Sequence, residues 1–211
     1  MTREDKHRLL RAALREVPFS GYSDTSLKAA AKKAGLSAAD VRLHFPRGPE
    51  SLIEAFTELG DAEMIERMAE ATASRVRDRV SLAVRTRLEA MTSYREAARR
   101  AAAFLALPQN TPLAARLMFG TVDAIWRAAG DQSNDFNYYT KRVLLAGVYG
   151  ATLLHWLSDS SEAHVRTWAF LDARIEDVMK IQKLRGSLEK NLRQFPNPLD
   201  VLAGFRSPRG S

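Results

Sequence analysis

The chain has 211 residues, of which 45% are hydrophobic, so it is long enough to bury a substantial core. It contains no cysteine, which excludes a disulfide framework and a thiolate metal ligand or nucleophile. The formal net charge is +7, and basic residues cluster in residues 75–100 and 178–211. Such clusters suit phosphates of nucleic acid or of lipid headgroups, and a solvated helix face explains the first equally well.

The first residues, MTREDKHRLL, carry Glu4 and Asp5 and no apolar run. This composition argues against a secretory signal peptide and also lacks the acid-poor, Ser/Arg-rich character of an organelle transit peptide. It therefore favours a bacterial cytoplasmic protein.

Hydrophobic periodicity predicts helices almost throughout, and no stretch shows sustained period-two alternation. The first helix is predicted over residues 3–17 and is ended by Pro18 and Gly21. Further helices are predicted over residues 26–34, 38–44 and 49–73. Gly35 ends the second helix, Ser37 caps the third, and Pro49 fits the first position of the fourth.

The second half continues the helical pattern. An apolar stripe over residues 76–105 bends near Thr92, and helices follow over residues 111–129, 135–158 and 162–184. Thr111 is predicted to cap the first of these three. The apolar run 143–157 is shorter than the about 20 residues that a membrane span needs, so it predicts a buried core helix.

The stretch SLKAAAKKAGLSAADVRLHFPRG has helix, glycine-containing turn and helix spacing, which is typical of a helix-turn-helix. It is similar to the N-terminal module of TetR-type regulators. Where that pattern usually has Gly, Thr and Tyr, this chain has Ala39, Asp40 and Arg42. Because an acidic Asp40 repels phosphates, we expect that the fold is kept and that DNA reading is lost.

Catalytic chemistry is hard to find in this chain. The four histidines lie in different predicted elements and none has metal-ligand spacing. Asp172, Glu176 and Asp177 share one helix, but Arg174 and Lys180 beside them favour an exposed charge lattice. Asp123 and Arg127 have the spacing of a helix-face ion pair. The sequence predicts a protein that is not an enzyme and holds no metal.

Apolar residues at helical spacing dominate residues 113–178, and all three tryptophans lie there. An ordinary helix-bundle core explains this pattern. The functional alternative is a bundle that opens into a pocket for an elongated apolar ligand, with glycines leaving room opposite bulky side chains. The candidate lipid-binding residues are Met118, Val122, Ile125, Trp126, Leu144, Gly147, Val148, Gly150, Trp156, Trp168 and Leu171.

The junction GDQSNDFNYYTKR, residues 130–142, mixes exposed-type aromatic and charged residues at a predicted helix start. Such a mixture is typical of a partner-binding surface, and the alternative is a helix cap with its aromatic side chains packed into the core. The candidate partner-binding residues are Asp131, Asp135, Phe136, Asn137, Tyr138, Tyr139, Lys141 and Arg142.

After Gly186 the tail alternates basic and apolar residues at helical spacing. A basic amphipathic segment suits an anionic membrane surface. The alternatives are a short helix docked on the bundle and a disordered end. The candidate membrane contacts are Lys190, Leu192, Arg193, Phe195, Leu202 and Phe205.

The motifs LALPQN, VDAIW, AAGDQS, DFN, YTKR and TWAFLDARIEDVM occur together between residues 104 and 179. In combination they resemble the ubiquinone-biosynthesis accessory protein family, the ninth protein of the coenzyme Q pathway. The resemblance implies a TetR-like, dimeric, all-helical, lipid-binding protein that associates with the di-iron demethoxyubiquinone hydroxylase. It also implies a membrane-touching C-terminal helix. Relatives commonly have Trp at the position of Tyr138.

These features predict an all-α, TetR-like helical bundle in three parts: a helix-turn-helix module (1–60), a lipid-binding bundle (61–185) and a basic amphipathic tail (186–211). The predicted function is non-catalytic binding of polyprenylated quinone intermediates and their presentation to the hydroxylase at the membrane. The alternative is a TetR-type ligand-responsive transcriptional regulator. We expect a homodimer with no cofactor other than a bound isoprenoid quinone or phospholipid, peripheral to a bacterial inner membrane and not bound to DNA.

Overall fold

The computed structural model describes residues 3–72, 75–131 and 136–194, and within them every regular element is helical. The α-helices are α1 (Arg3–Ser20), α2 (Asp24–Ala34), α3 (Ala38–His44), α4 (Pro49–Ala69), α5 (Val76–Ala90), α6 (Arg95–Leu105), α7 (Thr111–Ala128), α8 (Phe136–Ser158) and α9 (Val165–Gln194). Short 3-10 turns at Thr92–Tyr94, Pro108–Asn110 and Glu162–His164 lead into α6, α7 and α9.

The first helix continues past the proline that was expected to end it. Pro18 lies inside α1, which runs on to Ser20 and ends at Gly21 with a φ of 66°. A proline lacks the N–H that would close its own turn, and its ring crowds the carbonyl four residues earlier. The last turn of α1 is nevertheless closed by the Gly21 N–H, which donates to the Val17 carbonyl at 2.8 Å. Leu14 and Val17 are fully buried and hold this end in place.

The helix-turn-helix is formed as the sequence predicts. Gly35 ends α2 in the left-handed conformation, with a φ of 67°. Ser37 and Asp40 then form a capping box: the Asp40 N–H donates to the Ser37 hydroxyl at 3.2 Å, and the Ser37 N–H donates to the Asp40 carboxylate at 2.7 Å. The predicted bounds of α3 are confirmed.

Other boundaries differ in detail from prediction. The expected bend in the long apolar stripe is the 3-10 turn Thr92–Tyr94, and α4 ends earlier than expected, at Ala69. Thr111 is the first residue of α7, where its hydroxyl donates to the Pro108 carbonyl, so its predicted capping role is wrong. The last helix, α9, continues through Gly186 to Gln194.

The chain divides into two compact units, Met1–Asp172 and Ala173–Ser211, and the predicted three-part division remains a prediction. In the first unit α4 packs against α5 and α7, α7 packs against α8, and α1 packs against α2. In the second, Arg174–Asp177 (2.8 Å) and Lys180–Glu176 (3.3 Å) form surface ion pairs of the expected charge lattice.

The apolar run of α8 is only half buried. Leu145, Val148 and Trp156 are buried, as expected of a core helix, whereas Val143 and Leu154 are exposed. A helix on the surface of a bundle buries one face and leaves the other in solvent. Within residues 3–72, 75–131 and 136–194, no helix is long and apolar enough to cross a membrane.

Candidate functional site

An apolar cavity of about 320 Å³ lies among α4, α5, α6, α7 and α8. This volume is at the lower end of the range for small-molecule sites, roughly 300–1,000 Å³. Its apolar walls include Phe56, Met91, Leu105, Leu117, Met118 and Leu153.

Small side chains on three helices leave this space open. Ala98, Ala101 and Ala102 line it from α6, Ala114 from α7 and Gly150 from α8. A Cβ atom added at Gly150 would lie 3.6 Å from Met118 Cε, so this glycine sets the clearance between α7 and α8. The sequence signal for the α6 wall is the run of alanines at helical spacing, which the apolar-stripe argument treated as ordinary core.

The inner end of the cavity is polar. Arg87 is only 3% exposed, and its Nε donates to Asp61 Oδ1 at 2.5 Å. Its two terminal nitrogens donate to the Tyr149 hydroxyl and, at 3.2 Å, to Thr121 Oγ1. The Thr121 hydroxyl donates in turn to Asp61 Oδ2 at 3.2 Å. A buried charge is tolerated when it is paired and hydrogen-bonded in this way.

The guanidinium of Arg87 also lies over the Tyr149 ring, 5.1 Å from its centroid. Burial raises the pKa of the Tyr149 hydroxyl above its usual range, so this phenol keeps its proton at neutral pH. Sequence reasoning missed the whole cluster. Its one local signal is Arg87 itself, a charged residue that continues the apolar face of Val80 and Val84.

Among the candidate lipid-binding residues, Met118 and Gly150 line this cavity. Gly147 lies on the exposed side of α8, where an added Cβ would meet nothing within 4 Å. Contrary to expectation, it therefore does not leave room opposite a bulky side chain. Eight others do not line the cavity either: Val122, Ile125, Trp126, Leu144, Val148, Trp156, Trp168 and Leu171. Val122, Ile125 and Trp156 are fully buried between packed helices instead. Lipid contact at these positions stays a prediction.

The outer end of the cavity reaches solvent. Leu154 lines the cavity and is 63% exposed, whereas Tyr149 and Thr121 at the inner end are buried. The cavity therefore runs from an apolar mouth to a polar interior.

The junction before α8 is held by a buried ion network. Arg142 is 2% exposed, and its guanidinium lies 2.6 Å from Asp123 and 3.7 Å from Asp131. Lys141 pairs with Asp131 at 2.9 Å, and Arg127 pairs with Asp123 at 2.7 Å, as its spacing predicted. Arg142 thus places a buried cation between two carboxylates that also pair with the more exposed Arg127 and Lys141.

The side chains of this junction differ in their burial. Arg142 and Asp131 have buried side chains, whereas Lys141 is half-buried and Tyr139 is 66% exposed. Asp135 lies outside the described residues, as do the side chains of Phe136, Asn137 and Tyr138. Partner binding by all of these residues stays a prediction.

The candidate membrane contacts also fall where the structure gives no side chains. Lys190, Leu192 and Arg193 lie on the backbone of α9, but their side chains are outside the described part of the chain, and so are Phe195, Leu202 and Phe205 entirely. Membrane contact by the tail therefore stays a prediction.

Asp40 has a structural role that the electrostatic argument did not foresee. Hydrogen bonds from the Ser37 N–H and hydroxyl hold its carboxylate and lower its pKa. Capping of α3 is sufficient to explain an acidic residue here, and the loss of DNA reading stays a prediction.

The fold defines a class of protein: an all-α, TetR-like helical bundle. The solved structure of a TetR transcriptional regulator from Nitrosomonas europaea ATCC 19718 superposes with a TM-score of 0.63 and covers 81% of this chain and 95% of that one. The sequence identity is 20%, so the likeness concerns the fold alone. It confirms the predicted fold class.

Within that class the sequence is more specific. Residues 111–182 match the COQ9 family model. The ubiquinone biosynthesis protein COQ9 of Rattus norvegicus is 36% identical over 184 residues, covering 83% of this chain and 59% of the relative. The Homo sapiens protein is 34% identical and covers 83% and 58%, and the Drosophila melanogaster protein is 34% identical and covers 89% and 59%. The chain is therefore similar to these COQ9 proteins over more than four fifths of its length, and it spans about three fifths of theirs.

The expected bacterial location is contradicted by these relatives. The matched proteins of Rattus norvegicus, Bos taurus, Homo sapiens and Drosophila melanogaster are all described as mitochondrial. The expectation rested on the composition of the first residues. Because the chain covers only part of its relatives, the point at which it begins carries no information about targeting.

Proposed function

We propose that this protein is a non-catalytic lipid-binding protein of ubiquinone biosynthesis, which takes up a polyprenylated quinone intermediate and presents it to the di-iron demethoxyubiquinone hydroxylase. The pathway is suggested by the relatives, which are described as ubiquinone biosynthesis proteins. The observation that carries the ligand role is the apolar cavity. Its α7 and α8 walls fall inside residues 111–182, the segment that matches the COQ9 family model.

The size of the cavity supports an elongated ligand that is only partly enclosed. Burial of hydrocarbon contributes about 0.8 kcal/mol per carbon, or roughly 4 kcal/mol for one five-carbon isoprene unit. A cavity of about 320 Å³ holds only part of a long-tailed molecule. The remainder would extend through the mouth at Leu154, where a membrane or a protein partner would cover it.

The partner role rests on Tyr139. A large exposed aromatic residue is typical of an interface anchor, and the ion network of Arg142, Asp123 and Asp131 fixes the start of α8 that carries it. We place the hydroxylase on this surface. In the same proposal the basic segment over residues 186–211 contacts an anionic membrane, and the chain acts as a homodimer.

The ligand role is tested by two substitutions on one helix. Gly150→Leu projects a side chain into the cavity, whereas Gly147→Leu projects the same side chain into open space. After gentle purification, lipids bound to each protein are identified by mass spectrometry. We expect isoprenoid quinone or phospholipid on the wild type and on Gly147→Leu, and at least a tenfold loss on Gly150→Leu. Equal lipid content in all three proteins, or none in any, would contradict the ligand role.

The partner role is tested with a second matched pair. Tyr139→Ala removes the exposed aromatic residue at the junction, and Phe19→Ala removes an even more exposed one at the end of α1. Loss of an interface anchor costs about 2 kcal/mol or more, so Tyr139→Ala should weaken hydroxylase binding at least about 30-fold while bound lipid is retained. If Phe19→Ala weakens binding as much as Tyr139→Ala does, the junction is not the docking site.

A further inference from the structure

The polar inner end of the cavity has one hydrogen-bond donor to spare. Arg87 donates to Asp61, Thr121 and Tyr149, and the Thr121 hydroxyl donates to Asp61. The Tyr149 oxygen thus accepts a hydrogen bond from Arg87. Within the part of the chain that the structure describes, none of these bonds uses the phenolic hydrogen of Tyr149. A buried hydroxyl that lines a cavity and retains its hydrogen can donate to a ligand.

The charge at this end is balanced. The Arg87 cation is paired with the Asp61 carboxylate at 2.5 Å, and both partners have little exposure. A carboxylate or phosphate in the cavity would add a second negative charge close to Asp61 with no new cation to compensate it. A neutral oxygen adds no negative charge. It loses only its hydrogen bond to water, and a hydrogen bond from the Tyr149 hydroxyl replaces that bond.

The direction of the cavity sets the orientation of such a ligand. Tyr149, Thr121 and Arg87 lie at the buried end, and Leu154 lies at the exposed mouth. The oxygen therefore enters first, and hydrocarbon extends outward past Leu153 and Leu154.

We propose that Tyr149 is the specificity-determining donor of this cavity, which selects an apolar molecule with a neutral acceptor oxygen at its inner end, such as a carbonyl, quinone or ether oxygen, and rejects anionic lipids. The inference rests on the proposed ligand role of the cavity and adds the chemical class and orientation of the ligand. It also means that a quinone head group held here is enclosed, so handing it to an enzyme requires the ligand to slide outward.

Three probes of matched tail length test this inference: decyl-benzoquinone, decylbenzene and decanoate. Calorimetric titration of the wild-type protein should give about tenfold tighter binding of the quinone than of the hydrocarbon, the effect of one net hydrogen bond. Decanoate should bind at least about tenfold more weakly than the quinone at neutral pH. Equal affinity of the wild type for all three probes overturns the inference but leaves the ligand role intact, whereas no binding of any probe refutes the ligand role itself.

Two conservative variants separate the two parts of the proposal. Tyr149→Phe keeps the ring but removes the donor, so the preference for the quinone over decylbenzene should fall to about one while decylbenzene affinity is unchanged. Asp61→Asn removes the balancing charge, so decanoate binding should strengthen about tenfold or more while quinone binding changes little. Retention of the quinone preference by Tyr149→Phe, or unchanged decanoate affinity in Asp61→Asn, overturns the corresponding part. Circular dichroism melting shows whether each variant is folded. If a variant is not folded, the affinities of the wild-type protein for the three probes decide whether the inference holds.

Discussion

The Arg142 network offers a direct test of whether the junction before α8 is internal. Arg142→Met replaces a buried cation with an apolar side chain of similar length and leaves Asp123 and Asp131 without it. Removing one partner of a buried ion pair costs about 3–5 kcal/mol when the remaining charge has no other partner. Here Asp123 still pairs with Arg127 and Asp131 with Lys141, so this cost is an upper limit for Arg142→Met. Arg127→Met is the matched control, since Arg127 also pairs with Asp123 but is 73% exposed, and exposed pairs contribute about 0.2–1 kcal/mol.

Urea denaturation measures both changes. With a denaturant dependence of roughly 2 kcal/mol per molar urea, Arg142→Met should lower the unfolding midpoint by more than about 0.5 M and by at most about 2.5 M, and Arg127→Met by less than about 0.5 M. Adding Asp123→Asn to Arg142→Met should recover part of the loss, because it removes one of the two carboxylates that lose the Arg142 cation. If Arg142→Met lowers the midpoint no more than Arg127→Met does, Arg142 is not a buried structural cation.

Two further predictions concern folding stability. The Asp159 carboxyl is buried, which alone would raise its pKa, but hydrogen bonds from the N–H and hydroxyl groups of Ser161 and Thr167 outweigh burial and hold the pKa well below its usual range. Stability from a lowered carboxyl pKa is present above the unfolded-state value of about 4 and is lost as the pH falls below it. The difference in melting temperature between wild type and Asp159→Asn should therefore narrow from about pH 6 to pH 3. A difference that does not depend on pH contradicts this account. Gly35→Ala should destabilise the protein by about 1 kcal/mol because Gly35 has a left-handed φ. Gly120→Ala should stabilise it by about 0.5–1 kcal/mol, because Gly120 lies in a helix with open space around it. Calorimetric melting measures both variants, and equal shifts in melting temperature would show that backbone conformation is not the cause.

Much of the fold could be predicted because its signals are local. Helix ends at Gly35 and Pro49, the capping box at Ser37 and the bend near Thr92 each depend on a few neighbouring residues. The family motifs also lie in continuous stretches of sequence between residues 105 and 179. The error at Pro18 arose where tertiary packing of Leu14 and Val17 overrides a local helix breaker.

The ligand residues were harder to predict because a packed core and an apolar cavity wall use the same side chains. Val122, Ile125 and Trp156 have the spacing of a buried face, and they are buried, but not at the cavity. The wall that leaves the space open is built from alanines of α6, which apolar-stripe reasoning counts as ordinary core residues. Hydrophobic periodicity therefore predicts which face of a helix is buried, but it does not predict where the buried region contains a cavity.

The sequence by itself determined an all-helical chain with a helix-turn-helix and the motifs of the COQ9 family, because these properties are written in short stretches. Only the tertiary structure determined which charged side chains are buried and which partners they have. Arg87 meets Asp61 and Tyr149 across separations of 26 and 62 residues, and Arg142 meets Asp123 across 19. Each of these arginines is buried where a carboxylate that is distant in sequence pairs with it. Such pairs form only when the helices pack, so local sequence does not show which arginines are buried.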